Sequence, residues 1–244
     1  MANRAIPFPL PLPGNAIIQK RASILTALLD MDGGFSTIPI IAIRPPTLRQ
    51  MLKLYDERFF NGFLSEKLPD IQLSLSARLT SSAGKFIYVK GAFGRVSRPE
   101  IRMSSDFLTR LKKGPFHLNG LTVATPQEAF LVVFEHELCH AAEAALYGST
   151  GHCERFMALA NGLFGHTDTR HSLPTRKQEA AQSGYTVGMR ASFVYQGQTL
   201  TGFVNYIGKT ATVMVPSSAG AYRDKSGRRY AKYRVPLPLL SPEK

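Results

Sequence analysis

Residues 125–148 constrain this chain more than any other stretch. Thr125 can cap a helix, Pro126 suits its first position, and Glu128 falls three residues after the cap. Phe130, Leu131, Phe134, Leu138, Ala141, Ala142 and Ala145 then give the helix a largely apolar surface up to Tyr147 and Gly148. In the middle of that surface stands Glu135-His136-Glu137-Leu138-Cys139-His140. Burying two histidines beside two carboxylates as ordinary core residues would demand several compensating polar partners. A different use of these groups is the better reading.

Residues four apart share a helical face, so His136 and His140 can point both imidazoles at one ion. Glu137 then lies beside the metal. Zinc lowers the pKa of a water it binds, and a neighbouring carboxylate can take that water's proton as it attacks a carbonyl. The same carboxylate can return the proton to a departing amine. The expected cofactor is one Zn2+ per chain, with a third protein ligand and one position left for water. Spacing leaves that third ligand open. His152 follows Gly151 just before a second helix at 154–164, and a turn could return it beneath the first; His166, His171, Cys153 and Glu154 are also chemically competent. Cys139 turns away from the histidine face and suits a small core position. Glu143 could bond an imidazole or be an ordinary surface carboxylate.

The remaining pattern predicts an α+β protein. Residues 1–14, with Pro7, Pro9, Pro11 and Pro13 interleaved among apolar residues, read as an extended, mobile tail. A helix is expected over 19–32. A second starts at Thr47 as cap, with Leu48, Met51, Leu52, Tyr55 and Phe59 as its apolar positions. Strands over 71–75, 86–89 and 101–104 predict a small sheet, with antiparallel pairing favoured. Residues 166–188 read as a linker. From 189 to 244, short strands separated by Gly197, Gly208 and the stretch 220–227 predict a small β-barrel, SH3-like or similar. No apolar run is long enough to span a bilayer. Two cysteines suit reduced thiols, which places the chain in the cytoplasm with no membrane partner.

Several segments resemble the SprT-like family of zinc metallopeptidases. Leu54-Tyr55-Asp56 with Phe59-Phe60-Asn61-Gly62 is similar to that family's first helix and glycine turn. The stretch 74–84, ending Ser82-Ala83-Gly84, resembles its early strand and turn, and Ile101-Arg102-Met103-Ser104 the strand before its active helix. His136-Glu137-Leu138-Cys139-His140 matches its catalytic segment, and Gly151-His152 followed by Phe156 resembles the place of its third histidine. The resemblance covers 48–166. It implies a minimal zincin-like metallopeptidase core over 15–165, His152 as third ligand, Glu137 as base, and a protein or peptide substrate. It also implies single-stranded or distorted DNA as an activator and DNA-bound protein as substrate. Some relatives carry a C-terminal zinc ribbon made from paired cysteines, and this chain has none of those cysteines.

Charge points independently toward a polyanion. The net charge is +13, and residues 170–244 hold twelve Lys/Arg against three Asp/Glu, while the other 169 residues hold eighteen against fourteen. In 228–235, Tyr230, Lys232 and Arg234 share one strand face, suited to phosphates and to base stacking; Ala231, Tyr233 and Val235 face a core. Arg223, Lys225, Arg228 and Arg229 cluster at the preceding loop, and Lys209 adds to them from a turn. This predicts sequence-nonspecific DNA binding. The competing reading is a structural module whose basic edges discourage strand pairing. Tyr195, Phe203 and Tyr206 read as packing residues. Three functions follow: a zinc endopeptidase, a nucleic-acid-binding protein whose zinc site is structural or weakly active, or another amidase-type hydrolase using the same metal-bound water.

Overall fold

The computed structural model describes residues 6–31, 34–37, 40, 43–170 and 173–243. The chain divides into two compact units, Met1–Leu173 and Pro174–Lys244.

The first unit holds helices α1 (Gly14–Met31), α2 (Pro45–Phe59), α3 (Phe63–Lys67), α4 (Ser105–Leu108), α5 (Pro126–Tyr147) and α6 (Glu154–Phe164). Its strands are β1 (Gln72–Ser76), β2 (Gly84–Lys90), β3 (Val96–Ser104) and a hairpin of β4 (Phe116–Leu118) and β5 (Leu121–Val123). The central element is α5. Its capping box forms as the sequence predicts, with the Thr125 side chain accepting from the Glu128 amide and the Glu128 carboxylate accepting from the Thr125 amide. It ends at Gly148 in the left-handed conformation, φ 72°. The core wraps this helix on most sides, with Phe134 packed against Tyr55 of α2, and Tyr55 and Phe59 against Phe164 of α6.

α2 begins at Pro45, two residues earlier than the expected Thr47 cap. Prolines fit a first turn because its amides have no intrahelical partner, and Thr47 is buried. At its other end Asp56 turns inward and accepts from the Leu64 and Ser65 amides, which caps α3. In the three-stranded sheet, ordered β1-β3-β2, β2 pairs antiparallel with β3. β1 runs parallel to β3, from Gln72 opposite Glu100 to Ser76 opposite Ser104. The expected antiparallel sheet is therefore mixed. Of the proline-rich start, residues 1–5 lie outside the described residues. Phe8 packs its ring on Phe60 and Phe63, and the Leu12 amide donates to the Gly162 carbonyl.

The second unit contains α7 (Arg176–Gln182), with its own capping box from Thr175 and Gln178, and strands β6 (Arg190–Tyr195), β7 (Gln198–Ile207), β8 (Ala211–Pro216), β9 (Tyr222–Arg223), β10 (Arg229–Val235) and β11 (Ser241–Pro242). These form one six-stranded antiparallel sheet in the order β11-β6-β7-β8-β10-β9. The expected barrel is not present: the sheet is open. Closure requires the two edge strands to pair in a staggered register. Here the edges β11 and β9 are two residues long, and Pro242 has no amide to donate. One face packs Ala180 of α7, Phe193, Val204, Val213 and Val235 into a separate core. Among the described residues no helix is long and apolar enough to cross a membrane.

Candidate metal centre

α5 presents His136 and His140 one turn apart, and the loop between α5 and α6 brings His152 to meet them. The three Nε2 atoms form a nearly equilateral triangle, 3.0 Å from His136 to His152, 3.1 Å from His140 to His152 and 3.2 Å from His136 to His140. Hydrogen bonding cannot satisfy all three pairs at one point. Nor need it for His140: its Nδ1 lies 2.7 Å from Thr150 Oγ1, whose single proton goes to Glu143 Oε2 at 2.8 Å. Thr150 therefore accepts from His140 Nδ1–H, which leaves His140 Nε2 as a bare lone pair facing the triangle. Burial, and then the neighbouring His152, push the His140 pKa down to about 4, so the ring is neutral at pH 7.

This is a donor set for a metal. Nitrogens placed tetrahedrally at 2.0–2.1 Å from zinc stand about 3.3 Å apart, and the observed edges are within a few tenths of an ångström of that. These are also the three residues whose ligand atoms cluster among the described residues. Phe156 forms a floor under all three rings, with centroids 4.9, 4.4 and 5.0 Å from those of His136, His140 and His152.

Glu137 is 5% exposed and packs directly against β2. A Cβ on Gly84 would lie 2.7 Å from its Oε1 and 2.8 Å from its Cγ, so only glycine leaves room for the carboxylate there. The Phe86 amide donates to it. Burial pushes the Glu137 pKa up to about 8, against the pull of the Phe86 hydrogen bond; a bound cation acts in the opposite direction. His136, Glu137, His140 and His152 line a cleft of about 400 Å³ together with residues 81–86.

Two further buried carboxylates hold these groups in place. Glu143 is fully buried. It accepts from Thr150 Oγ1, from the Gly151 amide at 3.0 Å and from Cys153 Sγ at 3.2 Å, which ties down the loop carrying His152. Cys153 is thereby a partner of Glu143 and not part of the cluster. Glu135 lies on the far side of α5. It receives Arg21 Nε and Nη2 at 2.7 and 2.8 Å, Tyr55 Oη at 2.8 Å and His166 Nε2 at 3.0 Å. Burial opposes its charge, but Arg21 and His166 outweigh burial and hold its carboxyl below the ordinary range. His166 is therefore engaged away from the cleft, Glu154 is the exposed first residue of α6, and His171 lies outside the described residues. The spacing of the motif carried no sign of Thr150, Arg21 or the Phe86 amide. Gly84 stood in a recognised turn, but its role as a wall for Glu137 did not follow from that.

In the second unit the basic residues separate. Lys232 and Arg234 are exposed on the sheet face away from the core, while Tyr230 on the same face is buried, donating to Asp224 at 3.0 Å and edge-on to Phe203. Arg223 pairs across from Arg229 at the β9–β10 end, with Lys225 and Arg228 in the connecting turn; Lys209 is exposed in the β7–β8 turn. Tyr195 and Tyr206, expected to be packed, are 47% and 55% exposed.

A central helix carrying two histidines and a buried glutamate, closed by a third histidine over a cleft, defines a metallopeptidase-like centre. Residues 48–177, just over half of the chain, match the SprT-like family, and the chain belongs to that family. No curated protein matches it.

Replacing Arg21 with Met should leave Glu135 buried without its guanidinium and cost about 3–5 kcal/mol, measured by urea unfolding. Because the native carboxyl sits below its ordinary range, its contribution is present above the unfolded pKa and lost as pH falls. The gap between wild type and Arg21→Met should therefore narrow on acidification below about pH 4. Thr150→Val removes the acceptor of His140 Nδ1–H and should weaken zinc binding about 10- to 100-fold, read by competition with a chromophoric chelator.

Proposed function

We propose that this protein is a zinc-dependent endopeptidase that hydrolyses protein substrates, including proteins held on DNA, in the cytoplasm. The observation that carries the reading is the triangle of three Nε2 atoms with the buried Glu137 carboxylate in the same cleft. His136, His140 and His152 would hold one zinc ion per chain. Bound zinc supplies a Lewis acid that acidifies water and polarises the scissile carbonyl.

The chain's own groups do the rest. Glu137 takes the proton of the attacking water and delivers it to the departing amine nitrogen, the two halves of general acid–base catalysis. The Phe86 amide with the Gly84 backbone fixes where the carboxylate stands, and a cation held by the three histidines would favour the ionised form that accepts the proton, against the burial that disfavours it. Glu143, through Thr150, holds the His140 ring in the tautomer a ligand needs. The stretch 81–86 along the cleft is where an extended substrate would lie.

A second reading is supported by the charge of the C-terminal unit, where residues 174–244 hold eleven Lys/Arg against three Asp/Glu. On that reading the chain binds nucleic acid, and its zinc site is structural or weakly active. Glu137→Gln separates the two. On the peptidase reading the variant keeps its zinc and loses about 10²–10⁴-fold in cleavage of a DNA-binding protein; a variant as active as wild type at equal zinc content would sink the assignment. Gly84→Ala tests the wall behind the base. It should displace the carboxylate and cost about 10²-fold in cleavage with zinc content unchanged.

A further inference from the structure

The sheet of the C-terminal unit has two faces with opposite characters. Cross-strand pairing puts Arg190, Phe203, Met214 and Lys232 in one row on the face away from the core. Tyr206, Thr212 and Arg234 form a second row on that face, and Tyr230 pairs with Tyr222 in a third. Simple alternation along β7 would send Tyr206 inward with Val204. The register shift between Val204 and Tyr206 inserts Asn205 as an extra residue, so Tyr206 comes to stand opposite Thr212 on the outer face. Gly208 leaves room for the ring in the adjoining turn, since a Cβ there would lie 2.9 Å from Tyr206 Cε1.

Tyr206 and Tyr222 are 55% and 46% exposed, on strands three steps apart across the sheet, roughly 14 Å, and in the rows of Arg234 and Tyr230, roughly 13 Å apart along the strand. A lone exposed tyrosine needs no explanation. Here two stand on a face already floored by Phe203, Met214 and Tyr230, and cations surround them. Lys232 Nζ lies 5.3 Å from the Tyr222 centroid, and Arg234 is exposed in the same row as Tyr206. The two acids near this face are already engaged. Asp224 accepts from Tyr230, Ser226 and the Arg228 amide, and Glu243 accepts from Thr201 and pairs with Arg190 at 3.4 Å.

We infer that the outer face of this sheet binds single-stranded nucleic acid, with bases stacked on Tyr206 and Tyr222 and phosphates held by Lys232 and Arg234. Charge complementarity selects a polyanion, and exposed rings interleaved with cations select one that offers unpaired bases. A duplex keeps its bases stacked inside and could use only the cations. The inference rests on the reading, given above, of a peptidase acting on DNA-held proteins, and it supplies the residues that would engage the nucleic acid. It replaces Tyr230, whose ring is buried, with Tyr206 and Tyr222 as the stacking surface.

The test uses the full-length, zinc-loaded Glu137→Gln protein, so that binding is read apart from cleavage. Fluorescence anisotropy is followed with a labelled oligothymidine of roughly 16 nucleotides and with a duplex of equal length. The single strand should bind more tightly than the duplex. Tyr206→Leu and Tyr222→Leu should each weaken it by about tenfold, at an unchanged melting temperature. Tyr206→Phe keeps the ring and should retain binding. Neutralising both Lys232 and Arg234 to Gln should lower the slope of log K against log salt by about 1.4. Undiminished affinity in the two leucine variants, equal affinity for the duplex, or binding of polyglutamate or anionic vesicles without the oligonucleotide would overturn the inference. Failure of the wild type to cleave protein would count against the peptidase reading and leave this binding result standing.

Discussion

A carboxylate with no access to solvent fixes the working orientation of the first unit. Glu135 is held from three directions, by Arg21 of α1, Tyr55 of α2 and His166 beyond α6. Each residue of an α-helix turns the chain by about 100°, so Glu135 and Glu137 project to nearly opposite sides of α5. Anchoring the first at the back aims the second, with His136 and His140, into the cleft. The cost of burying Glu135 is offset by a bidentate guanidinium and two further donors, and loss of the guanidinium would leave a charge closed off from bulk solvent without its counter-ion. The ionic cluster therefore holds the rotation of the helix, and the rotation decides which side chains face the cleft.

Three glutamates of one helix end up with different roles because their surroundings differ. Glu135 meets a cation and stays charged. Glu143 meets the donors of a loop and fastens that loop. Glu137 meets one amide and a bare glycine backbone, and burial pushes its pKa up. Residue type alone could not have separated them. What separates them is the partner each finds in the folded chain.

That contrast marks where the sequence was legible. The start of α5 and the shared face of His136 and His140 are local, set by spacings of three and four residues, and could be read directly. His152 could not be chosen from spacing, since several residues nearby offered suitable atoms; resemblance to the family singled it out. Arg21 and Glu135 are 114 positions apart, and no local pattern links them. The strands of the C-terminal unit announced themselves through alternation and turns, but closure into a barrel depends on the length and pairing of the edges, which alternation does not report. The same limit misplaced Tyr206. One inserted residue, Asn205, reverses the parity that a two-residue period assumes, and turns an expected core tyrosine outward.

Charge is also used differently in the two units. The buried acids Asp56, Asp106, Glu135, Glu137 and Glu143 all belong to the first unit, where Arg21, Arg110 and Arg155 and the Leu64 amide meet four of them. Among the described residues the second unit buries no acid, and most of its cations stand on exposed turns and on the outer sheet face, with Arg176 and Lys177 on α7. A field directed into solvent acts over about 8 Å at physiological ionic strength, whereas charges paired inside a core are little affected by salt. Salt should therefore act mainly on whatever the second unit attracts and leave the buried ion pairs of the first unit largely alone, so that the proposed capture of a polyanion and the proposed hydrolysis would respond to different variables.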